Sequence, residues 1–359
     1  MNVYLFNPDS DRALAHEAEQ RRKGLPRAVY TAKSFARRMA LALQLLPCWI
    51  ASPGDAVLVE GSDEQVAQWQ RWVDEKMAGI TIVNRPPAGG DVAYRPWGWC
   101  NSVAHRLLAR GAAPTGMPLD DGMLLDADIV AAASRLTTVK LHRLIADRLG
   151  RELCPPPVAI SDDETLRERL TAAASRGFYL KKLYSGSGQG IFRQPPATAG
   201  GMPEMWRWLR DEFKRQEAVM LEPLYDRMMD MAVEFRCDGD GIEVDGYSVF
   251  EVDSHSQWVG TRIDSRQALH GLITAAYPGF DDVVEAVRQA LNEVVPKRYA
   301  GFLGVDMLLY RKSDGGVGLN PCVELNLRTT MGVVAAHMGE RHGRRGVLSM
   351  RNAALAVQN

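Results

Sequence analysis

The 359-residue sequence predicts a chain of mixed α/β and α+β class, with a small open α/β lobe in its first third and antiparallel sheet beyond it. Three observations carry that reading. Residues 55–84 run apolar segment, amphipathic helix, apolar segment, the β-α-β pattern that builds parallel sheets. Val233 to Val252 holds short strand-like runs separated by Asp-Gly turns, an antiparallel meander. Residues 302–332 read as strand, glycine-rich turn and strand. A single core rarely spans this length, so two or three lobes are expected.

The elements follow in order. Val3 to Phe6 is a short buried strand, and the polar run Asn7 to Arg12 reads as a loop. Ala36, Met39, Leu43 and Leu46 recur at helical spacing up to Pro47. After the apolar run Ala56 to Val59, Ser62 and Gln65 form a capping box for a helix with Val66, Trp69 and Val73 on its buried stripe. Gly79 ends that helix, and Ile80 to Val83 is the next strand. Residues 85–122 are rich in Pro and Gly and read as loop around a helical piece, Asn101 to Leu108. Trp97 and Trp99 are expected in the core. A helix runs from Thr137 to a Gly150 stop, with Leu141, Leu144, Ile145 and Leu149 as its stripe. Pro155 to Pro157 mark a lobe boundary. Ser161 with Glu164 suggests a second capping box, ahead of Leu166, Leu170 and Ala173. Phe178 to Lys181 is a strand, Pro203 opens a helix bearing Trp206, Leu209 and Phe213, and Val219 to Glu222 is a strand before the meander. Val284, Val287, Leu291 and Val294 mark the helix that leads into the last strand pair.

Composition narrows the function. With a net charge of −1 and a pI near 6.7, nothing favours nucleic acid or an anionic membrane as partner. Five scattered cysteines without a Cys-x-x-Cys argue against a disulfide framework or a structural zinc. The first residues lack the basic and apolar runs of a signal peptide, and Met39 to Ala51 is too short to span a bilayer, so a cytoplasmic protein is expected.

Two motifs carry chemistry. In an extended strand Glu324, Asn326 and Arg328 share one face, and Val323, Leu325 and Leu327 share the other. The turn Ser313 to Gly318 folds the preceding strand back and brings Asp306 to that polar face. Two carboxylates and an amide oxygen suit a hard cation, Mg²⁺ with Mn²⁺ as an alternative, and Arg328 can neutralise an anion beside it. The same alternation also fits a strand with one solvated face. The second motif is Ser185-Gly186-Ser187-Gly188-Gln189-Gly190 at the end of the strand bearing Lys181. Its amides can face one anion, and the lysine adds a positive charge. No Gly-Lys-Ser/Thr closes it, the glycines do not match a dinucleotide fingerprint, and no His-Arg-Asp or Asp-Phe-Gly follows. A glycine-rich hairpin without a ligand is the other reading. Arg236, on the meander, is a candidate for a substrate carboxylate. No Ser-His-Asp, Cys-His or His-Glu-x-x-His constellation is identifiable.

The order of these parts, a helix-borne Lys140, Lys181 with its glycine loop, an acidic strand ending at Glu222, then Asp306 and the Glu324-x-Asn326 pair, resembles the ATP-grasp superfamily of carboxylate ligases over about residues 130–335. The resemblance implies an N-terminal α/β pre-ATP-grasp domain (1–125), a lid subdomain with the phosphate loop (126–217) and a C-terminal subdomain with the metal site (218–359). It implies that Lys140 and Lys181 hold phosphates and that Ser185, Gly186, Ser187, Gly188 and Gly190 close over them. It implies further that Glu222 and Leu224 form the adenine hinge, that Asp306, Glu324 and Asn326 ligate Mg²⁺, and that Arg328 and Lys181 stabilise the transferring phosphoryl group. Lys182 stands where the family usually has proline, and Asp230 stands for the usual ribose-binding glutamate. The implied activity is an ATP-dependent ligase that joins a carboxylate, such as an amino acid or peptide, to an amine through an acyl phosphate, releasing ADP and phosphate. The alternatives are a kinase-type phosphotransferase on the same fold and a non-catalytic nucleotide-binding module.

Overall fold

Three sheets, each followed or covered by helices, make up the computed structural model, which describes all residues except 26–27, 89–90, 174–175, 187, 189, 197–202, 240, 352–353 and 359. The chain begins with β1 (Asn2–Leu5), α1 (Ser10–Lys23), α2 (Ser34–Ala42), β2 (Ala56–Leu58), α3 (Asp63–Lys76), β3 (Thr81–Val83), β4 (Ala93–Pro96) and α4 (Asn101–Ala109). Its four strands pair in parallel in the order β3-β2-β1-β4. This is the open α/β lobe expected from the β-α-β pattern. The Ser62 capping box is present, with Gln65 N donating to Ser62 Oγ and Ser62 N to Gln65 Oε1.

The connecting helices α5 (Ala127–Ala132) and α6 (Leu136–Leu149) lead to β5 (Val158–Ile160), α7 (Asp163–Ala173), β6 (Phe178–Lys182), β7 (Ile191–Gln194), α8 (Pro203–Phe213) and β8 (Val219–Pro223). These strands form an antiparallel sheet of order β5-β8-β6-β7, closed on its apolar side by Leu166, Leu170, Met205 and Leu209. The remainder is β9 (Asp226–Cys237), β10 (Ile242–Val252), β11 (Trp258–Ile263), α9 (Arg266–Ala276), α10 (Phe280–Val294), β12 (Gly301–Arg311), β13 (Val317–Asn326), α11 (Met331–Glu340), β14 (Gly346–Arg351) and β15 (Ala354–Gln358). Its seven strands order as β13-β12-β9-β10-β11-β14-β15, each pairing antiparallel. One apolar cluster runs from Val3 and Leu5 through Trp99, Leu125 and Leu141 to Val233 and Leu303, so the first and last sheets share a core.

Several local expectations are corrected. The polar run Asn7 to Arg12 is not all loop, because α1 begins at Ser10. Asp11 lies in its first turn, Arg21 to Lys23 in its last, and Gly24 ends it in the left-handed conformation, all of which suit the helix dipole and its caps. Its buried stripe is only Ala13 and Leu14 among polar residues, too thin to register as a period. The cap of α7 is Asp162, which accepts from Thr165 N at 2.8 Å, rather than Ser161. Helices α9 and α11, each capped by a hydroxyl of the preceding Ser265 or Thr330, and strands β11, β14 and β15 were not anticipated. Trp97 and Trp99 are buried as expected, Trp97 packing edge-on against Phe6 at 4.8 Å. No helix among the described residues is long and apolar enough to cross a membrane.

Candidate active site

The hairpin β12–β13 places Asp306 directly opposite Glu324 and Gly304 opposite Asn326. Both carboxylates therefore project from one face with about one strand spacing, roughly 5 Å, between their backbones. Burial and the neighbouring Glu324 push the Asp306 carboxyl up from 3.8 to about 7, against the pull of Arg328 and a hydrogen bond from Asn326. Like charges held this close in a half-buried cleft fit a divalent cation between them. The donors are all oxygen, the set that holds Mg²⁺ when phosphates supply the rest of its shell. Among the described residues no group of three or more His, Cys, Asp or Glu could hold a metal ion, this pair included, so a cation here would need ligands such as Asn326 and phosphate oxygens.

The charges around this pair are fixed from three directions. Arg135, at the start of α6, donates from Nη2 to Glu324 Oε1 at 2.6 Å and to the Ser185 carbonyl at 3.1 Å. Its Nη1 reaches Ser185 Oγ at 2.7 Å and the Lys182 carbonyl at 2.6 Å. Arg328 donates from Nη2 to Asn326 Oδ1 at 2.9 Å and from Nε to Asp11 at 3.0 Å. From the β5-β8-β6-β7 sheet, Lys181 on β6 donates to Glu222 Oε2 on β8 at 2.5 Å, both side chains buried. Asp230 on β9 pairs with Arg227, Nε to Oδ2 at 3.2 Å, and burial raises its carboxyl. Lys181, Asp230, Asp306, Glu324, Asn326 and Arg328 line one cavity of about 240 Å³.

The glycine loop borders this cavity. A Cβ on Gly186 would collide with Asp11 Oδ2 and approach Arg328 Nη2 to 3.1 Å. Gly188, at φ +72°, lies against the Ser256 carbonyl of the β10–β11 turn, on the far side of the cleft. Of the loop, Gly188 lines this cavity, whereas Ser185, Gly186 and Gly190 line an adjoining one of about 750 Å³ that shares Asp11 with it. Ser187 lies outside the described residues. Gly186→Ala is expected to break the Arg328–Asp11 contact. A misplacement of about 1 Å can cost on the order of a hundredfold in turnover, so a loss of at least about tenfold with an unchanged thermal midpoint is the expected result. Wild-type turnover in that variant would show the approach to be incidental.

Lys140, Arg236, Glu222 and Leu224 also lie off this cavity wall. Lys140 is exposed on α6, its Nζ 3.4 Å from the Glu293 carbonyl, and lines a separate cavity with His142, Arg143 and Cys154. The buried face of α6 carries Thr138, Leu141, His142 and Ile145, and Lys140 falls off that stripe. Arg236 lies on the same face of β9 as Asp230, but beyond the cleft. Its side chain is 54% exposed and its nearest carboxylate is Asp238, at 3.7 Å. Glu222 reaches the cavity only through Lys181, and the Leu224 amide is spent on the Gly177 carbonyl at 3.1 Å.

Four residues of the cleft were not singled out from the sequence: Asp11, Arg135, Arg227 and Glu234. Asp11 had a usable signal, since it follows the carboxyl end of a short parallel strand, where open α/β sheets place their ligands. Glu234 has none. It is 1% exposed, accepts from Ser248 Oγ and Thr330 Oγ1 at 2.9 Å each, and its carboxyl rises from 4.5 to about 8, first through burial and then through Asp306. The native state keeps a proton there that the unfolded chain releases. The group's contribution to stability is therefore full below about pH 4.5 and is lost as pH rises through about 8. Urea unfolding of the metal-free protein is expected to show a steeper decline over that window than Glu234→Gln shows. Parallel curves would refute the assignment.

No protein-family model matches the chain, and no curated protein sequence does. Among solved structures it is similar to the N5-carboxyaminoimidazole synthetase from Staphylococcus aureus complexed with ADP, at 10% identity and a TM-score of 0.46, over 94% of this chain and 76% of that one. It is similar to biotin carboxylase from Campylobacter jejuni with β-γ-ATP, at 10% identity and a TM-score of 0.48, over 94% and 67%. The N5-carboxyaminoimidazole ribonucleotide synthetase from Thermus thermophilus gives 14% identity and a TM-score of 0.43, over 97% and 82%. Likeness at this level assigns this chain neither a substrate nor a reaction. The chain's own topology is an open parallel α/β sheet, an antiparallel sheet with a glycine loop and an antiparallel sheet bearing the carboxylate pair, the mixed α/β and α+β class expected from the sequence.

Proposed function

We propose that the protein is an ATP-dependent ligase that joins a carboxylate to an amine through an acyl phosphate. The observation that carries this reading is the cleft in which Asp306, Glu324 and Asn326 meet Lys181 and Arg328 beneath a glycine loop. Asp306, Glu324 and Asn326 would hold Mg²⁺, which would neutralise charge on the phosphates of ATP. Lys181 would leave Glu222 for a phosphate oxygen, and Arg328, oriented by Asp11, faces the transferring group. A substrate carboxylate oxygen attacks the γ-phosphorus and the bond to the ADP oxygen breaks. The amine nitrogen then attacks the acyl carbon, losing its proton as inorganic phosphate departs. Transfer of this kind asks the protein for position and charge rather than covalent chemistry, which suits a site of fixed ion pairs.

The test is the thermal midpoint with and without Mg²⁺-ATP, followed by a screen of acids and amines for ADP release. A ligand at a hundred times its dissociation constant adds about 2.7 kcal/mol, enough to move the midpoint visibly. A magnesium-dependent shift and ADP release that requires both an acid and an amine support the ligase. No shift at saturating nucleotide sinks it, and a stable phosphorylated product formed without amine would make the enzyme a kinase instead.

A further inference from the structure

The cleft continues past the carboxylate pair into a recess that the phosphoryl chemistry does not use. On β9, Asp230, Ala232 and Glu234 point the same way, at about 6.6 Å per two residues. Ala232 faces Asp306 and Glu234 faces Gly304, so the order along the strand is Asp230, carboxylate pair, Glu234. The nucleotide end and Glu234 therefore lie on opposite sides of the metal-binding pair. The same cavity is walled by Phe6, Trp97 and Met331, the last next to the Thr330 that bonds Glu234, while Phe250 lies opposite Asp230 at the other end.

The Glu234 carboxyl is built in. Hydroxyls of Ser248 and Thr330 each donate to one of its oxygens. A Cβ on Gly304 would lie 2.7 Å from Oε2, and one on Gly332 would overlap Oε1, so both glycines make room for this group. Yet no cationic side chain pairs with it among the described residues, and the charged groups acting on it are the carboxylates of Asp306 and Asp245. A buried carboxyl that no cation faces is a place where a ligand's positive charge would find a partner. Mg²⁺ is a poor candidate here, because it keeps several waters and these walls are aromatic and thioether. An organic ammonium is suited to them, since aromatic faces attract it as well as the carboxylate does.

We propose that this recess binds the amine substrate, and that Glu234 selects a primary ammonium attached to an apolar body about the size of an aromatic ring. The inference rests on the ligase reading for the amine's role as acceptor, while the binding itself does not depend on it. From Glu234 such an amine sits on the far side of the metal-binding pair from the nucleotide, where an acyl group activated at Arg328 can be reached.

The experiment is isothermal titration of the full chain with phenethylamine, with phenethyl alcohol as its uncharged counterpart and methylamine as the charge without the apolar body. The expected result is that wild type binds phenethylamine at least tenfold more tightly than either. Glu234→Gln, which keeps the volume and hydroxyl contacts of glutamate, is expected to abolish the preference over the alcohol. An equal affinity for amine and alcohol in wild type overturns the proposal, and so does a preference that survives in a folded Glu234→Gln. Should that variant fail to fold, the wild-type comparison alone decides. A Mg²⁺-ATP shift without amine preference defeats this inference and spares the ligase, whereas a Glu234-dependent amine preference without any nucleotide shift does the reverse.

Discussion

Glu324→Gln is expected to erase the magnesium-dependent stabilisation by ATP and to lower any turnover at least about a hundredfold, the loss typical of removing one group aimed at developing charge. Glutamine keeps the side-chain volume and still offers Arg135 an oxygen, so the 2.6 Å contact can persist and the fold with it. What it removes is half of the charge facing the cation. Asp306, opposite on β12, then loses the like-charged neighbour that helps hold its carboxyl near 7, and it titrates lower in the variant. With affinity reduced a hundredfold, nucleotide at a hundred times the original dissociation constant adds only about 0.4 kcal/mol instead of about 2.7. Differential scanning fluorimetry with Mg²⁺-ATP reads that difference directly. An unchanged magnesium dependence in folded Glu324→Gln would remove this residue from the metal set.

How much of this was legible in the sequence depended on whether the relevant contact is local. Asp306 and Glu324 could be paired because a glycine-rich turn lies between them and fixes the hairpin register. Lys181 and the glycine loop are adjacent in sequence and stayed adjacent in space. Lys140 lies apart from the cleft for a different reason. Its assignment came from the order of parts alone, and the face a helical residue presents depends on which stripe the tertiary structure buries. The Lys181–Glu222 pair joins residues 41 apart across two strands, a link that no short-range pattern encodes. Glu234 reads as an ordinary strand residue until Gly304, Gly332, Ser248 and Thr330 are seen to converge on it.

Arg135 joins elements still farther apart, and its replacement is expected to match Glu324→Gln in effect. One guanidinium, with its side chain 3% exposed, holds the loop at Ser185, the end of β6 at the Lys182 carbonyl and the carboxylate of Glu324, a span of 189 residues. It is a positioning residue, fixing the distance between the glycine loop and the strand that bears Glu324. Alanine would leave the half-buried Glu324 carboxylate without its partner and lower stability as well, confusing stability with function. Lysine keeps the charge but concentrates its donors at one point, where the fork of arginine serves Ser185 and Glu324 at once. Arg135→Lys should therefore remain folded, lose on the order of a hundredfold in turnover, and need more Mg²⁺ for half-maximal activity. A merely structural role would lower the thermal midpoint and leave the magnesium requirement where it was. A folded Arg135→Lys with wild-type magnesium dependence would mean that loop and carboxylate strand are aligned by other contacts.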